Sequence, residues 1–298
     1  MNREAVEQEI AALITPGLRA NAWRPDSDVL RQRRMWNEYY HGRRIRILRM
    51  VFPRLEEKRI LDVGAGRGGL AVALERQGCR VTTLDIRRSS CRVTRLRGQR
   101  YGLEVPAVQG RGERLPFPAG AFDVVVCRDV LEHAGRPGEL LQEIWRVLDI
   151  GGACFMTAIN RFCWTDPHYH LVGIAFLPRA VAEGYLRLCG RAKESGRDRQ
   201  RLADMHYYAY SEFCRWASSF GFAVRDMRAE LLHRYRHDGV ANRLRWLRYR
   251  LLRPLSLQAN HFEFLLCKPR SPLNDPAAGF DKLSTSGSLA GGARRKNS

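Results

Sequence analysis

Short apolar runs recur through the middle of this chain, and polar or glycine-rich turns separate them. The runs predict strands near 59–63, 80–85, 105–109, 122–127 and 152–158, with helices between them. Such alternation is the pattern of a parallel sheet covered by helices. Before residue 58 the chain reads as helical, with a break at Thr15-Pro16-Gly17 and a basic helix from 28 to 50. After 158 an insertion runs from 159 to 209. A helix from Ser211 to Phe220, the turn Gly221, a strand near 222–229 and a last strand near 261–267 then return to the core. Residues 271–298 are rich in Ser, Gly, Ala and Pro and read as a disordered tail.

The run Ile60-Leu61-Asp62-Val63-Gly64-Ala65-Gly66-Arg67-Gly68-Gly69 reads as a buried strand, a glycine turn and the start of a helix. Asp85 closes the second strand 21 residues after Gly64. This is the layout of a nucleotide-binding βαβ unit, in which the glycines admit a ligand close to the backbone and the acid binds ribose hydroxyls. The glycines fit the dinucleotide spacing G-x-G-x-x-G at Gly64, Gly66 and Gly69. They also fit Asp-x-Gly-x-Gly-x-Gly at Asp62, Gly64, Gly66 and Gly68, which resembles motif I of class I S-adenosylmethionine-dependent methyltransferases. A carboxylate at 62 suits a ligand with a free ammonium better than a pyrophosphate. The plain alternative is a tight strand-to-helix turn with no ligand.

Later segments extend the resemblance. Gly112-Glu113-Arg114-Leu115-Pro116-Phe117-Pro118 precedes the fourth strand, and Asp129-Val130-Leu131-Glu132-His133 follows it. A helix ending in Trp145-Arg146-Val147-Leu148 and the turn Gly151-Gly152 come next. In this order the segments resemble the ubiquinone/menaquinone-type methyltransferases over residues 58–158, and more weakly to 268. The resemblance implies a Rossmann-like seven-stranded, mostly parallel sheet with helices on both faces. It implies a helical amino-terminal cap over 1–57, a cofactor-binding core over 58–158, a substrate-side insertion over 159–209 and a return to the core over 210–270. It further implies S-adenosyl-L-methionine as cofactor, contacted by Asp62, Gly64, Gly66, Gly68, Asp85, Glu113 and Asp129. One position departs from the family: the usual adenine-binding acid two residues before Glu113 is Arg111, which cannot accept a hydrogen bond.

Methyl transfer needs alignment and exclusion of water, and a hydroxyl acceptor benefits from a base. His133, just after the fourth strand, is the candidate base; the alternative is a histidine that only shapes the wall. In the insertion, Asn160-Arg161-Phe162-Cys163-Trp164-Thr165-Asp166-Pro167-His168-Tyr169-His170 offers a polar and aromatic substrate wall, with His168, Tyr169 and His170 as the candidate contacts. The histidine spacing beside Asp166 is not that of a zinc or iron motif, and no metal is expected. The eight cysteines form no C-x-x-C pair and read as thiols.

Charge adds a partner question. Lys and Arg number 51 against 31 acids, a net +20 that is mostly arginine. This favours an anionic partner, or else reflects arginine on solvated faces. Seven arginines lie between 234 and 253, where Val240, Leu244, Leu247 and Leu251 fall at helical spacing beside Trp246. Three uses compete: a helix packed by its apolar seam on the protein's own core, a helix on an anionic membrane surface, and an RNA grip. No amino-directed nucleic-acid methylation motif follows the fourth strand, which makes nucleic acid the weaker partner. No signal-peptide core or membrane-spanning run is present, so a cytoplasmic protein, with peripheral membrane attachment as an option, is expected. The reading is a methyltransferase acting on oxygen of a small-molecule, glycan or lipid-linked acceptor. A nicotinamide-dependent oxidoreductase, and a cofactor-binding module for RNA or membrane attachment, are the alternatives.

Overall fold

Strands form where apolar runs are long enough to be buried on both faces, as at Val124, Val125, Val126 and Cys127, each 0% exposed. The computed structural model describes residues 2–19, 27–191, 201–253 and 260–270. Its strands are β1 (Arg59–Val63), β2 (Arg80–Asp85), β3 (Ala107–Gln109), β4 (Phe122–Cys127), β5 (Leu148–Ile159), β6 (Ala223–Asp226) and β7 (His261–Cys267). They form one sheet in the order β3-β2-β1-β4-β5-β7-β6. Every pairing is parallel except the two made by β7. The helices are α1 (Arg3–Arg19), α2 (Ser27–Met35), α3 (Gly42–Val51), α4 (Gly69–Glu75), α5 (Arg88–Gln99), α6 (Pro137–Val147), α7 (Arg179–Leu188), α8 (Tyr210–Ser219), α9 (Met227–Arg234) and α10 (Val240–Leu252).

Two cores sandwich the sheet. On one face Leu140, Leu141, Ile144 and Val147 of α6 and Phe213 and Ala217 of α8 pack on β4, β5 and β7. On the other, Ile45, Ile47 and Leu48 of α3, the apolar side of α4 and Met227 of α9 pack on β1, β2 and β5. The insertion has its own small core of Ile159, Tyr169, Ile174, Ala182, Leu186, Leu202, Met205 and Tyr207. Five of the eight cysteines are buried free thiols and Cys189 is exposed.

Four expectations need correction. α1 runs through Thr15-Pro16-Gly17 to Arg19 without the expected break. The proline falls in the last turn: it withholds one N–H from the helix ladder, and only three residues follow it before the helix ends. The basic helix from 28 to 50 is divided into α2 and α3 by a 3-10 turn over Asn37–Tyr40. In one unbroken helix the Arg34 and Met35 carbonyls would accept from N–H groups four residues on. Instead they accept from Arg97 Nη2 at 2.9 Å and Arg97 Nη1 at 2.8 Å. The strand near 222–229 stops at Asp226, whose side chain accepts from Ala229 N at 2.9 Å and caps α9. Finally, the seam of α10 does not pack on the core: Val240, Leu244, Leu247 and Leu251 are 75%, 60%, 44% and 65% exposed, and Tyr249 is the buried residue. The expected tail at 271–298 lies outside the described residues.

The turn between α2 and α3 lies against the start of α4. A side chain on Gly69 would collide with Asn37 Oδ1 at 1.9 Å and His41 Nε2 at 2.8 Å. Beneath the turn, Glu38 binds Arg97 Nη1, Arg100 Nη1 at 3.1 Å and the Tyr101 hydroxyl at 2.7 Å. Burial alone would raise the Glu38 carboxyl, but Arg97 and the hydrogen bonds hold it below its usual range. Neither guanidinium has exposed side-chain surface. Replacing Glu38 with Ala leaves Arg97 buried without its acid and Arg100 with only the Glu7 carboxylate, 3.7 Å from its Nε. The variant is expected to lose about 3–5 kcal/mol in urea unfolding; a loss under ~1 kcal/mol would show that the network is not stabilising.

Candidate active site

Strand order reverses between β1 and β4, and in open α/β sheets the crevice at the carboxyl ends of such strands takes the ligand. Gly64, Gly66 and Gly68 follow β1 with φ of +67°, +57° and +68°, backbone that other residues rarely adopt. A Cβ on Gly64 would lie 2.3 Å from Val130, so this glycine lets the turns after β1 and β4 touch. A Cβ on Gly66 would meet nothing within 4 Å. Gly66 therefore presents bare backbone to the open side of the crevice. Asp85 Oδ2 accepts from Gly66 N at 2.9 Å and Oδ1 from Arg87 N at 2.9 Å. Each oxygen retains a lone pair for a further donor.

Asp62 lies in β1 and is 6% exposed. Burial pushes its carboxyl up to about 7, against the pull of Arg44 and Arg128. Among the described residues none hydrogen-bonds this carboxylate. Asp129, after β4, holds φ of +56°, a strained conformation for a non-glycine residue. Its N–H donates to Thr157 Oγ1 at 2.8 Å, which fixes the turn. Arg44, on α3, is half-buried, and the acids that act on it are Asp129, Asp62 and Glu263. It donates to His41 Nδ1 at 2.9 Å, leaving His41 Nε2 to donate to Asn37 Oδ1 at 2.9 Å. Burial, with Arg44, Arg128 and Arg97 nearby, lowers His41 to about 4, so it is neutral near pH 7. Arg44 is the contributor that sequence reading missed. It sits among many exposed arginines of the amino-terminal segment, and only the fold shows it facing Asp62.

The second cluster lies where β4 and the insertion meet. Glu132 is 1% exposed, and its Oε1 lies 3.6 Å from His168 Nε2 and 4.0 Å from His133 Nε2. The two imidazole rings meet edge to face at 5.0 Å. One ligand atom from each of Glu132, His133 and His168 falls within 4.8 Å of the others. One carboxylate and two imidazoles can relay a proton, and the same set has the chemistry of a divalent-cation ligand group. Sequence spacing had set His168 beside Asp166 instead. Asp166 is a turn anchor: it accepts from His168 N at 2.8 Å, Tyr169 N at 2.7 Å and the Tyr207 hydroxyl at 2.7 Å. Tyr169 points into the core of the insertion, where burial raises its hydroxyl to about 12, and His170 is exposed. Of the three insertion candidates, His168 alone joins His133. Exposed Phe162, Trp164 and Phe176 form an aromatic group on the same insertion.

Glu113 Oε1 accepts from Gly135 N at 3.0 Å, and its other oxygen lies 3.8 Å from Arg111 Nε. It thus ties the loop before β4 to the loop after His133.

A family described as a methyltransferase domain matches residues 61–156. The ubiquinone biosynthesis O-methyltransferase of Psychrobacter arcticus is 29% identical over 171 residues, covering 51% of this chain and 64% of that protein. Its namesake from Pseudomonas paraeruginosa is 30% identical over 174 residues, covering 58% of this chain and 68% of that protein. The chain thus spans roughly two thirds of the length of these relatives, 64% and 68%. Among solved structures, a phosphoethanolamine N-methyltransferase of Haemonchus contortus is 19% identical with a TM-score of 0.47, covering 76% of this chain and 52% of that one.

The Asp62 environment has a measurable consequence. Its folded-state value of about 7 stands above the ordinary 3.8, so the folded protein holds a proton that the unfolded chain releases. Stability from this group is full below the unfolded value and is lost as pH rises toward 7. Asp62→Asn should therefore be more stable than the wild type at about pH 8, by a few kcal/mol, with the gap closing toward about pH 4. Paired urea titrations across pH check this; a gap independent of pH would mean that Asp62 is ionised throughout.

Proposed function

Because this chain belongs to the class I S-adenosylmethionine-dependent methyltransferase family, we propose that it transfers a methyl group to a hydroxyl oxygen of a small-molecule acceptor. The carrying observation is the bare backbone at Gly66 beside Asp62, a buried carboxylate that no described residue hydrogen-bonds. S-adenosylmethionine, when bound, supplies an electrophilic methyl group on a sulfonium sulfur. The residues suit it: Asp62 its ammonium, Arg44 its carboxylate, and the remaining lone pairs of Asp85 its ribose hydroxyls. A pyrophosphate at this turn would face Asp62 instead, which weighs against a nicotinamide dinucleotide.

The choice of oxygen rests on proton accounting. A hydroxyl must lose a proton as its oxygen bonds to carbon, and the methyl–sulfur electron pair stays on sulfur. His133 takes that proton, with Glu132 beside it to stabilise the imidazolium, and His168 faces the same space. The relatives named for ubiquinone biosynthesis are O-methyltransferases, which supports an oxygen acceptor. Glycan and lipid-linked hydroxyls belong to the same class of acceptor. No described helix is long and apolar enough to cross a membrane.

Calorimetry tests the cofactor part. S-adenosylhomocysteine should bind in the micromolar range, and Asp85→Ala should weaken it by about 1–3 kcal/mol through lost hydrogen bonds. Tight NADH binding without a response to S-adenosylhomocysteine would overturn the reading.

The proton-transfer part is tested separately. With an identified acceptor, His133→Ala should lower kcat by about 10²–10⁴-fold and leave S-adenosylhomocysteine affinity nearly unchanged. An unchanged kcat would show that His133 only shapes the wall.

A further inference from the structure

We propose that α10 is a docking helix that lies flat on an anionic membrane, with its leucine stripe inserted and its arginines at the headgroups. The rotation of the helix is fixed from below. Tyr249 is 5% exposed, and its hydroxyl reaches Asp226 Oδ2 at 2.9 Å and Oδ1 at 3.1 Å. The Arg228 guanidinium covers the Tyr249 ring at 5.4 Å, and Trp246, half-buried on the same side, meets His233 at 5.9 Å. At ~100° per residue, Val240, Leu244, Leu247 and Leu251 fall within an arc of about 60°, roughly opposite Tyr249. That arc faces solvent, at 75%, 60%, 44% and 65% exposure. Arg243 and Arg250 flank it on one side and Arg248 on the other, all exposed.

The flanks choose the occupant. α10 contains no acidic residue. A second copy of this helix would bring two arginine rows together and meet repulsion. RNA phosphates would satisfy the arginines but leave four aliphatic side chains in water. An anionic bilayer satisfies both, since in-plane helices bury their apolar face at the headgroup boundary and basic residues beside it meet the lipid phosphates. The location is consistent with a use for it. β6 and β5 both run antiparallel to β7, so Asp226, at the end of β6, lies at the same end of the sheet as the turns after β1 and β4. A docked α10 would hold the crevice near the bilayer. The docking does not depend on the methyl-transfer reading.

Co-sedimentation of the full chain with vesicles tests the proposal. Binding is expected to phosphatidylcholine vesicles containing phosphatidylglycerol, to fall as salt screens the charges, and to be absent with phosphatidylcholine alone. Replacing Arg243, Arg245, Arg248 and Arg250 with Gln should weaken it on the order of a thousandfold. The neutral double variant Leu244→Ser/Leu247→Ser, at exposed positions that the fold does not need, should also lose binding while keeping wild-type thermal unfolding. If the serine variant binds like the wild type, insertion is wrong and the attraction is only ionic. Binding to RNA but not to vesicles overturns the proposal, as does a concentration-dependent dimer that the serine variant abolishes.

Discussion

Arg97 is a guanidinium with no exposed side-chain surface, and it joins the three parts that make the crevice. From α5 it donates to Arg67 O, inside the glycine turn, at 3.0 Å. It also donates to the Arg34 and Met35 carbonyls that end α2, and it pairs with Glu38 of the turn that follows. A planar fork with five N–H groups can satisfy such a set from one point, which an ammonium cannot. The position of the amino-terminal cap over α4 therefore depends on a fully buried charge. So does the place of α3, which presents Arg44 to Asp62. The arrangement carries a desolvation penalty, and Glu38 with Arg100 and Tyr101 makes it tolerable by completing the network.

This explains which features could be read from the sequence. β1, β2, β4 and β7 stand close to their expected bounds because strands buried on both faces must be apolar almost throughout, whereas β5 begins four residues earlier than expected, at Leu148, and takes in Gly151-Gly152. The glycine turn was legible for a similar reason: few other residues adopt its backbone. The break between α2 and α3 was not. Nothing local in residues 34–41 stops a helix, and the carbonyls there are taken by side chains some sixty residues later, at Arg97 and Arg100. The start of α9 was missed because it is set by a side-chain cap, Asp226 Oδ1 accepting from Ala229 N, inside the stretch read as one strand. Periodicity identified the seam of α10 but could not tell which face points inward. That was decided by the Tyr249–Asp226 contact, between residues 23 apart in sequence.

The site shows the same division. Asp62, Gly64, Gly66, Gly68 and Asp85 lie together because they belong to one βαβ unit, where spacing dictates proximity. His133 and His168 lie together only because the insertion folds back over the end of β4, with His206 N donating to Glu132 O at 3.0 Å and Asn160 bridging to Tyr208. Asp166 shapes that return without facing the crevice. Its neighbours His168, Tyr169 and His170 consequently point three ways: to Glu132, into the insertion's core, and to solvent. Sequence spacing could not tell which of the three joins His133, because each takes a different direction out of the same turn.

Charge is sorted with equal economy. The chain is strongly basic overall, at +20, yet the region around the crevice is built on acids. Asp62, Glu132, Asp166, Asp226 and Glu263 are all buried, and all lie near the carboxyl ends of the parallel strands or at the opposing start of β7. Several are balanced from the side: Arg43 grips Glu263 with both nitrogens at 2.9 and 3.0 Å, and Arg128 approaches it at 3.5 Å. Asp62 is the exception, since Arg44 and Arg128 pull on it without overcoming its burial. A carboxylate left costly by burial is one that a cationic ligand can relieve. On the proposed methyl-transfer reading, that cost becomes available as binding free energy, to a ligand that brings an ammonium and not to one that brings a phosphate.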